Sequence, residues 1–437
     1  MVSKAKSVTL ESSTIKGTVD IPPSKSLSHR ALVAASLAQG TSRISNLILS
    51  EDILATIDAM RKIGAEIRLE EEGNRFVAWV KGASSNLSLG RKDNVTFDCR
   101  ESGSTIRFII PLSLHFAKEA KFTGKGKLVE RPQSVYTELF DEKNIEYSYS
   151  NKRLPLTVRG KWQPGTYTLR GNVSSQFITG LLFTLPLLAE DSVLELSTEL
   201  ESKGYVDLTL EMLSYYGIQI ENRGSFFIIP GNQTYQARNY VVEGDYSQSI
   251  FFLLAGILGG ELNIEGLAEK SSQGDAVVMR LMREMEADVR IQADKSIQVK
   301  KSRPKGIAID CNEFPDLVPA LAVLLAFALG KSHLTNLGRL KIKESDRLEA
   351  VYQNLKALGA DVERGEDDLT IIGKEHLSGG LVSGWNDHRM VMSMAMAVLG
   401  CEKRLTVTDP DSVSKSYPEF WQDYQMLGGK IYEWNMG

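Results

Sequence analysis

The sequence predicts an α/β protein made of six repeated units, three in each of two lobes. Three observations lead there. One loop–helix–strand–helix–turn order recurs six times along the chain. Each copy passes from short β-branched runs to helical periodicity and back. And a chain of 437 residues is too long for one ordinary core.

The first helix of each copy opens after a polar or glycine-containing loop. The six openings are PPSKSLSHRALVAASLA from Pro22, RESGSTIRFIIPLSL from Arg100, NVSSQFITGLLFTLPLL from Asn172, GDYSQSIFFLLAGIL from Gly244, EFPDLVPALAVLLAFAL from Glu313 and NDHRMVMSMAMAVLG from Asn386. A second, amphipathic helix closes each copy in a turn that often reads like Leu-Gly-Ala before a strand, as in MRKIGAEI from Met60, MLSYYGIQI from Met212, MREMEADVRI from Met282, LKALGADV from Leu355 and YQMLGGKI from Tyr424. The second copy is worn and ends in DEKNIEY from Asp141. Any α/β protein alternates helix and strand, but six copies of one order at about 70-residue spacing point to repetition.

Six units divide into three and three. The fourth begins near Val242-Glu243-Gly244, and the first strand, up to Pro22, belongs with the C-terminal half. Lobe one is therefore expected to comprise residues 1–22 with 244–437, and lobe two residues 23–243, so that the chain crosses between them twice.

Composition limits the function. With 42% hydrophobic and 24% charged residues the chain is that of a globular protein. A net charge of −4 argues against a general nucleic-acid binder, so anion binding must come from locally placed cations. Cys99, Cys311 and Cys401 are far apart and lack disulfide or metal-ligand spacing. The N-terminal segment has no apolar core of a signal peptide and no transit-peptide pattern. Apolar runs such as Leu317–Leu329 are too short to span a bilayer and read as buried helices. A cytoplasmic location is expected.

The chemically active side chains gather at helix starts. A helix N-terminus offers free N–H groups and a positive dipole end, which suit phosphate and carboxylate. Lys25, Ser26 and Arg30 open the first unit. Ser102, Gly103, Ser104 and Arg107 open the second, and Ser174, Ser175 and Gln176 the third. Asp316 opens the fifth, and Asp387, His388 and Arg389 the sixth. The second helices are expected to start at Glu130-Arg131-Pro132, Ser202-Lys203-Gly204-Tyr205, Lys343-Glu344-Ser345-Asp346-Arg347 and Ser414-Lys415-Ser416. Taken singly, the serines read as N-caps, Asp346-Arg347 as a weak surface ion pair, His388 as a structural histidine and Asp316 as a turn residue between prolines. Their accumulation at equivalent places reads instead as a site for more than one anionic ligand. If the starts all point one way, that site lies in a cleft between the lobes.

PPSKSLSHR, NVSSQF, SKGYVDLTL, FPDLVP, KIKESDRL, WNDHRM and SVSKSYPEF are together similar to the signature segments of the 5-enolpyruvylshikimate-3-phosphate synthase family, in that family's order, from about Lys16 to about Met426. The resemblance implies six βαβαββ units in two lobes, with helix N-termini facing an interlobe active site. It implies transfer of the enolpyruvyl group of phosphoenolpyruvate to the 5-hydroxyl of shikimate 3-phosphate, with no cofactor and no obligatory metal, by a protein usually monomeric.

Residue by residue, the resemblance assigns shikimate 3-phosphate to Lys25, Ser26, Arg30, Ser174, Ser175, Gln176, Ser202, Tyr205, Asp316 and Lys343. It assigns phosphoenolpyruvate to Lys25, Gly103, Arg131, Gln176, Arg347, His388, Arg389 and Lys415. Asp316 is expected as the base at the acceptor hydroxyl, and Glu344, assisted by Lys25, as the proton donor to C3. Two departures stand out. Glu101-Ser102-Gly103-Ser104 replaces the Asn-Ala-Gly-Thr common in the family, and Arg339 stands where an acceptor-binding Asn is frequent. Both bear on the response to glyphosate, the family's phosphoenolpyruvate-site inhibitor.

The sister enzymes acting on UDP-N-acetylglucosamine are the nearest alternative. They carry a reactive cysteine in a loop where this chain has Gly124-Lys125-Gly126-Lys127. RNA 3′-phosphate cyclases use similar repeats but need a basic face and a nucleophilic histidine. A non-catalytic binding protein would need a broken site, yet Lys25, Arg131, Asp316, Glu344, Arg347, Arg389 and Lys415 are all present.

Overall fold

A computed structural model of the chain describes residues 6–83 and 91–436. The chain divides into two compact units, Pro23–Val242 and a discontinuous one of Met1–Pro22 with Glu243–Gly437.

Among the described residues there are six four-stranded sheets of one design. In the third, Gly165–Leu169 runs parallel to Ser192–Leu196, which pairs antiparallel with Phe226–Ile229, itself antiparallel to Glu221–Asn222. The other five repeat this order of one parallel and two antiparallel pairings. Three sheets are completed by strands remote in sequence. Ser7–Glu11 lies between Leu405–Thr408 and Lys430–Asn435. Ile15–Asp20 pairs with Gly260–Glu265, and Tyr240–Val241 with Thr41–Leu47.

Two helices accompany each sheet. In chain order they are α1 (Lys25–Leu37), α2 (Glu51–Ile63), α3 (Gly103–Phe116), α4 (Ser134–Lys143), α5 (Ser175–Thr184), α6 (Lys203–Tyr215), α7 (Tyr246–Gly259), α8 (Val278–Glu284), α9 (Val318–Leu325), α10 (Arg347–Ala357), α11 (His388–Ala397) and α12 (Phe420–Met426). The odd-numbered helices are apolar nearly all round and form the centre of each core. Every residue of α7, α9 and α11 is buried, and α1, α3 and α5 are close to it. A helix apolar on all sides belongs inside a core. The even-numbered helices bury one face only. Among the described residues no helix is long and apolar enough to cross a membrane.

The second unit is not worn. Its sheet and both its helices match the others. The turn after each even helix needs a left-handed residue, which is usually glycine because a Cβ is penalised there. Gly64, Gly217, Gly359 and Gly428 supply it in four units, whereas Asn144 (φ 52) and Glu286 (φ 56) do so in the other two. The missing glycine made DEKNIEY look degenerate, though Asn tolerates this conformation well.

The second-helix starts also differ from expectation. Arg131 lies three residues before α4, and Lys415 closes a 3-10 turn, Pro410–Lys415, five residues before α12. Pro132 and Pro418 follow these cations closely, and the residue before a proline is steered away from helical geometry.

Asn144→Ala is expected to destabilise the protein by about 1 kcal/mol through left-handed strain, and Asn144→Gly to leave it at least as stable. Urea unfolding of the two variants checks this pair of signs.

Candidate active site

Each unit holds its own set of polar side chains at the starts of its buried helices. In the unit Pro23–Val242, Ser24 caps α1, accepting from Leu27 N at 3.4 Å, and sets the direction of Lys25 and Ser26. Lys25 Nζ donates to Asp52 Oδ2 at 2.9 Å, with both side chains mostly buried. One turn on, Arg30 is buried. Its Nε donates to Thr209 Oγ1 at 2.9 Å, Nη2 to Tyr205 O at 2.8 Å and Nη1 to Ser26 O at 2.8 Å. Arg30 thus ties α1 to the first turn of α6, where Ser202 sits in a left-handed N-cap. Burial lowers the Arg30 pKa to about 10, offset in part by Tyr205, so the guanidinium stays charged at neutral pH.

Gln176 and Ser174 are fixed from α3. Arg107 donates to Gln176 Oε1 at 2.6 Å and to Ser174 Oγ at 3.4 Å, while Gln176 Nε2 donates to Ser104 Oγ at 2.8 Å. Ser175 is the buried first residue of α5. Gly103 has a steric reason to be glycine. A Cβ there would stand 2.5 Å from Arg131 Nη1, so the guanidinium lies directly on the backbone at the start of α3.

Cys99 follows directly on the strand before that helix. Burial, aided by Asp98, pushes its thiol well above the usual range. It is no candidate nucleophile, because the thiolate is the reactive form.

The second set lies in the discontinuous unit and is built on Arg347, the first residue of α10, whose side chain is 1% exposed. Asp346 is not its ion-pair partner. It caps α10, accepting from Glu349 N at 3.0 Å. Arg347 reaches three other carboxylates. Nε donates to Asp387 Oδ2 at 2.8 Å and Nη2 to Asp387 Oδ1 at 3.2 Å. Nη1 donates to Asp316 Oδ1 at 2.8 Å and Nη2 to Glu344 Oε2 at 2.6 Å. Burial opposes this charge, but Asp387, Glu344 and Asp316 outweigh it and hold the Arg347 pKa above its usual value.

Asp316 lies two residues before α9, in the turn that Pro315 opens, and is met by three cations. Besides Arg347, Lys343 Nζ is 3.2 Å from Oδ1 and Arg389 Nη2 is 3.3 Å from Oδ2. Arg389 also donates to Ser247 O at 3.0 Å, Asp316 O at 3.1 Å and Ser247 Oγ at 2.8 Å. Lys343 is brought down to a pKa of about 8, chiefly by burial and against the pull of Asp316. His388 is buried as the first residue of α11, its Nδ1 3.7 Å from Asp387 Oδ1. Lys415 Nζ donates to Asn386 O at 2.9 Å, just ahead of α11.

The structure thus gathers Asp316, Lys343, Glu344, Arg347 and Arg389 into one network, and joins Gly103 to Arg131 and Arg30 to Ser26 and Tyr205. Several supporting contacts were not read from the sequence. Asp387 accepts from Ser345 Oγ and Arg389 N, each at 3.0 Å, as well as from Arg347. Asp245 accepts from Ser247 Oγ at 2.6 Å, behind Arg389. Asp52 holds Lys25. Asp245 and Asp387 head equivalent helices, α7 and α11, and that parallel was the available signal.

Comparison with known proteins gives a single answer. The family model described as EPSP synthase (3-phosphoshikimate 1-carboxyvinyltransferase) matches residues 10–424. A 3-phosphoshikimate 1-carboxyvinyltransferase of Clostridium novyi is 48% identical over 430 residues, covering 97% of this chain and 98% of that protein. One of Clostridium acetobutylicum is 46% identical over 425 residues, covering 97% of each. An EPSP synthase structure from Acinetobacter baumannii superposes with a TM-score of 0.78 at 24% identity, over 98% of this chain and 99% of the other.

Asp387→Ala strands the buried Arg347 charge without the carboxylate that takes two of its bonds. A loss of about 3–5 kcal/mol is expected, read as a lower urea midpoint, with Asp387→Asn falling between the variant and the parent.

Proposed function

This chain belongs to the EPSP synthase (3-phosphoshikimate 1-carboxyvinyltransferase) family, and we propose that the two sets of residues described above together serve its reaction. The chain is a transferase. It moves the enolpyruvyl group of phosphoenolpyruvate to the 5-hydroxyl of shikimate 3-phosphate and releases phosphate, on the shikimate route to chorismate and the aromatic amino acids.

The observation that carries the assignment of roles is the convergence of Lys343, Arg347 and Arg389 on the one carboxylate of Asp316. Such a cluster places a proton acceptor among groups suited to anionic substrates. Guanidinium forks bind carboxylate and phosphate in a bidentate way that lysine does not match. On this reading Arg131, Arg347, Arg389, Lys415, His388 and the Gly103 backbone take phosphoenolpyruvate. Ser26, Arg30, Ser174, Ser175, Ser202, Tyr205, Asp316 and Lys343 take shikimate 3-phosphate, and Lys25 and Gln176 serve both.

The mechanism is addition followed by elimination. Asp316 takes the proton of the 5-hydroxyl as its oxygen attacks C2, and C3 receives a proton from Glu344, with Lys25 assisting. The tetrahedral intermediate then returns a proton from C3 and expels phosphate, whose charge the surrounding cations stabilise. Glu344 is held by Arg347 Nη2 at 2.6 Å, which fixes the carboxyl in one place through both steps. An acidic net charge of −4 supports small-molecule substrates over nucleic acid.

Phosphate release from phosphoenolpyruvate by the purified protein tests the reading. It is expected with shikimate 3-phosphate and not with UDP-N-acetylglucosamine, and Asp316→Ala is expected to lose turnover while still binding shikimate 3-phosphate. Near-normal turnover in that variant would sink the base assignment.

Lys343 gives a pH signature. Its pKa of about 8 means that the cation is present below that pH and lost above it. The kcat/KM for shikimate 3-phosphate should therefore fall as pH rises through about 8, and Lys343→Arg should move that limb upward. A flat profile to pH 10 would remove Lys343 from acceptor binding.

A further inference from the structure

The approach to α3 and the loop leading to Arg131 leave two adjacent parallel strands, Lys92–Asp98 and Ala117–Thr123, and remain interlocked beyond them. Cys99 N donates to Thr123 O at 2.9 Å, and Lys125 N to Arg100 O at 2.8 Å. Arg100 is itself anchored on α2, with Nη1 3.1 Å from Glu51 Oε2 and Nη2 2.9 Å from Asp58 Oδ2.

The next residue, Glu101, is the carboxylate that this chain carries in place of the family's common Asn. It is seated on Gly126. That glycine has φ +56, and a Cβ added to it would stand 1.9 Å from Glu101 Oε1. Gly126 opens the 3-10 turn Gly126–Val129, and Arg131 N is bonded at 3.2 Å to Lys127 O and Leu128 O of that turn. The contact is then returned, because the Arg131 guanidinium lies on Gly103, two residues past Glu101.

We propose that Glu101 is a positioning residue for phosphoenolpyruvate, holding the Gly124–Gly126 turn so that the Arg131 guanidinium is fixed over Gly103. The proposal rests on the reading of Arg131 and Gly103 as part of the phosphoenolpyruvate subsite. Glu101 acts through the loop, by its seat on Gly126.

Steady-state kinetics of the full-length enzyme test this. Glu101→Ala and Gly126→Ala, which disturb the contact from opposite sides, should each raise the KM for phosphoenolpyruvate by about tenfold, a displacement near 1 Å being enough. The KM for shikimate 3-phosphate and kcat should stay within about twofold, with unchanged unfolding midpoints for the Glu101 variants. The double variant should be no worse than either single one, because both remove one interaction. Glu101→Gln, which keeps the shape, should behave like the parent.

An unchanged phosphoenolpyruvate KM in Glu101→Ala overturns the proposal, as does a parallel rise of both KM values. A Glu101→Gln variant as impaired as Glu101→Ala also overturns it by assigning the effect to charge. Arg131→Ala separates the two levels. If it leaves the phosphoenolpyruvate KM unchanged, the subsite reading is at fault.

Discussion

Burial of the odd-numbered helices on every side is the constraint from which the rest of this structure follows. Helices such as α7 and α9 expose nothing along their length, so a polar side chain in the middle of such a helix needs a partner inside the protein, as Thr105 finds Thr56 and Thr179 finds Thr209. What remains available is the start of each helix, where unpaired N–H groups need acceptors. Ser24, Ser102, Ser174, Asp245 and Asp387 supply those acceptors as caps. Many of the residues singled out from the sequence stand beside these caps, and those set deeper, such as Arg30 and Arg107, are held by side-chain partners on neighbouring helices.

The cost of that arrangement is concentrated in a few buried charges. Arg347 is the clearest. Removed from water, a guanidinium is strongly unfavourable unless every donor finds an oxygen. Asp387 takes two of its bonds and is itself buried, and Asp316 and Glu344 take the others. The pair of Arg347 with Asp387 therefore holds two further carboxylates, those of Asp316 and Glu344. The same logic recurs where Ser247 and Asp245 stand behind Arg389, and where Thr209 and the Tyr205 carbonyl stand behind Arg30.

The six units were legible in the sequence because the even-numbered helices carry a one-sided apolar pattern of period 3.6 and glycine marks the turn after four of them. The reading faltered where the physics allowed another residue. Asn144 adopts the left-handed turn without glycine's signature, so a complete unit looked decayed. The prolines after Arg131 and Lys415 delay helix onset, so cations expected at helix starts lie in turns before them. Motif positions such as Arg347 and Asp316 were readable, but their partners were not. Nothing in the sequence around Asp387 tells that its carboxylate meets a guanidinium forty positions earlier, since that contact depends on how α10 and α11 pack. Nor does Glu101 announce that it sits on Gly126.

The strand Ser7–Glu11 has a consequence for how the chain is made. It leaves the ribosome long before its partners Leu405–Thr408 and Lys430–Asn435. At roughly 5–20 residues per second it waits tens of seconds as an unpaired strand, while Pro23–Val242, a continuous segment, can fold in the interval. The discontinuous unit is thus finished only once Lys430–Asn435 has emerged, by a pairing whose loop-closure entropy is large unless the intervening unit has already compacted. Until those partners arrive, Ser7–Glu11 carries the unpaired edge that invites association with other chains.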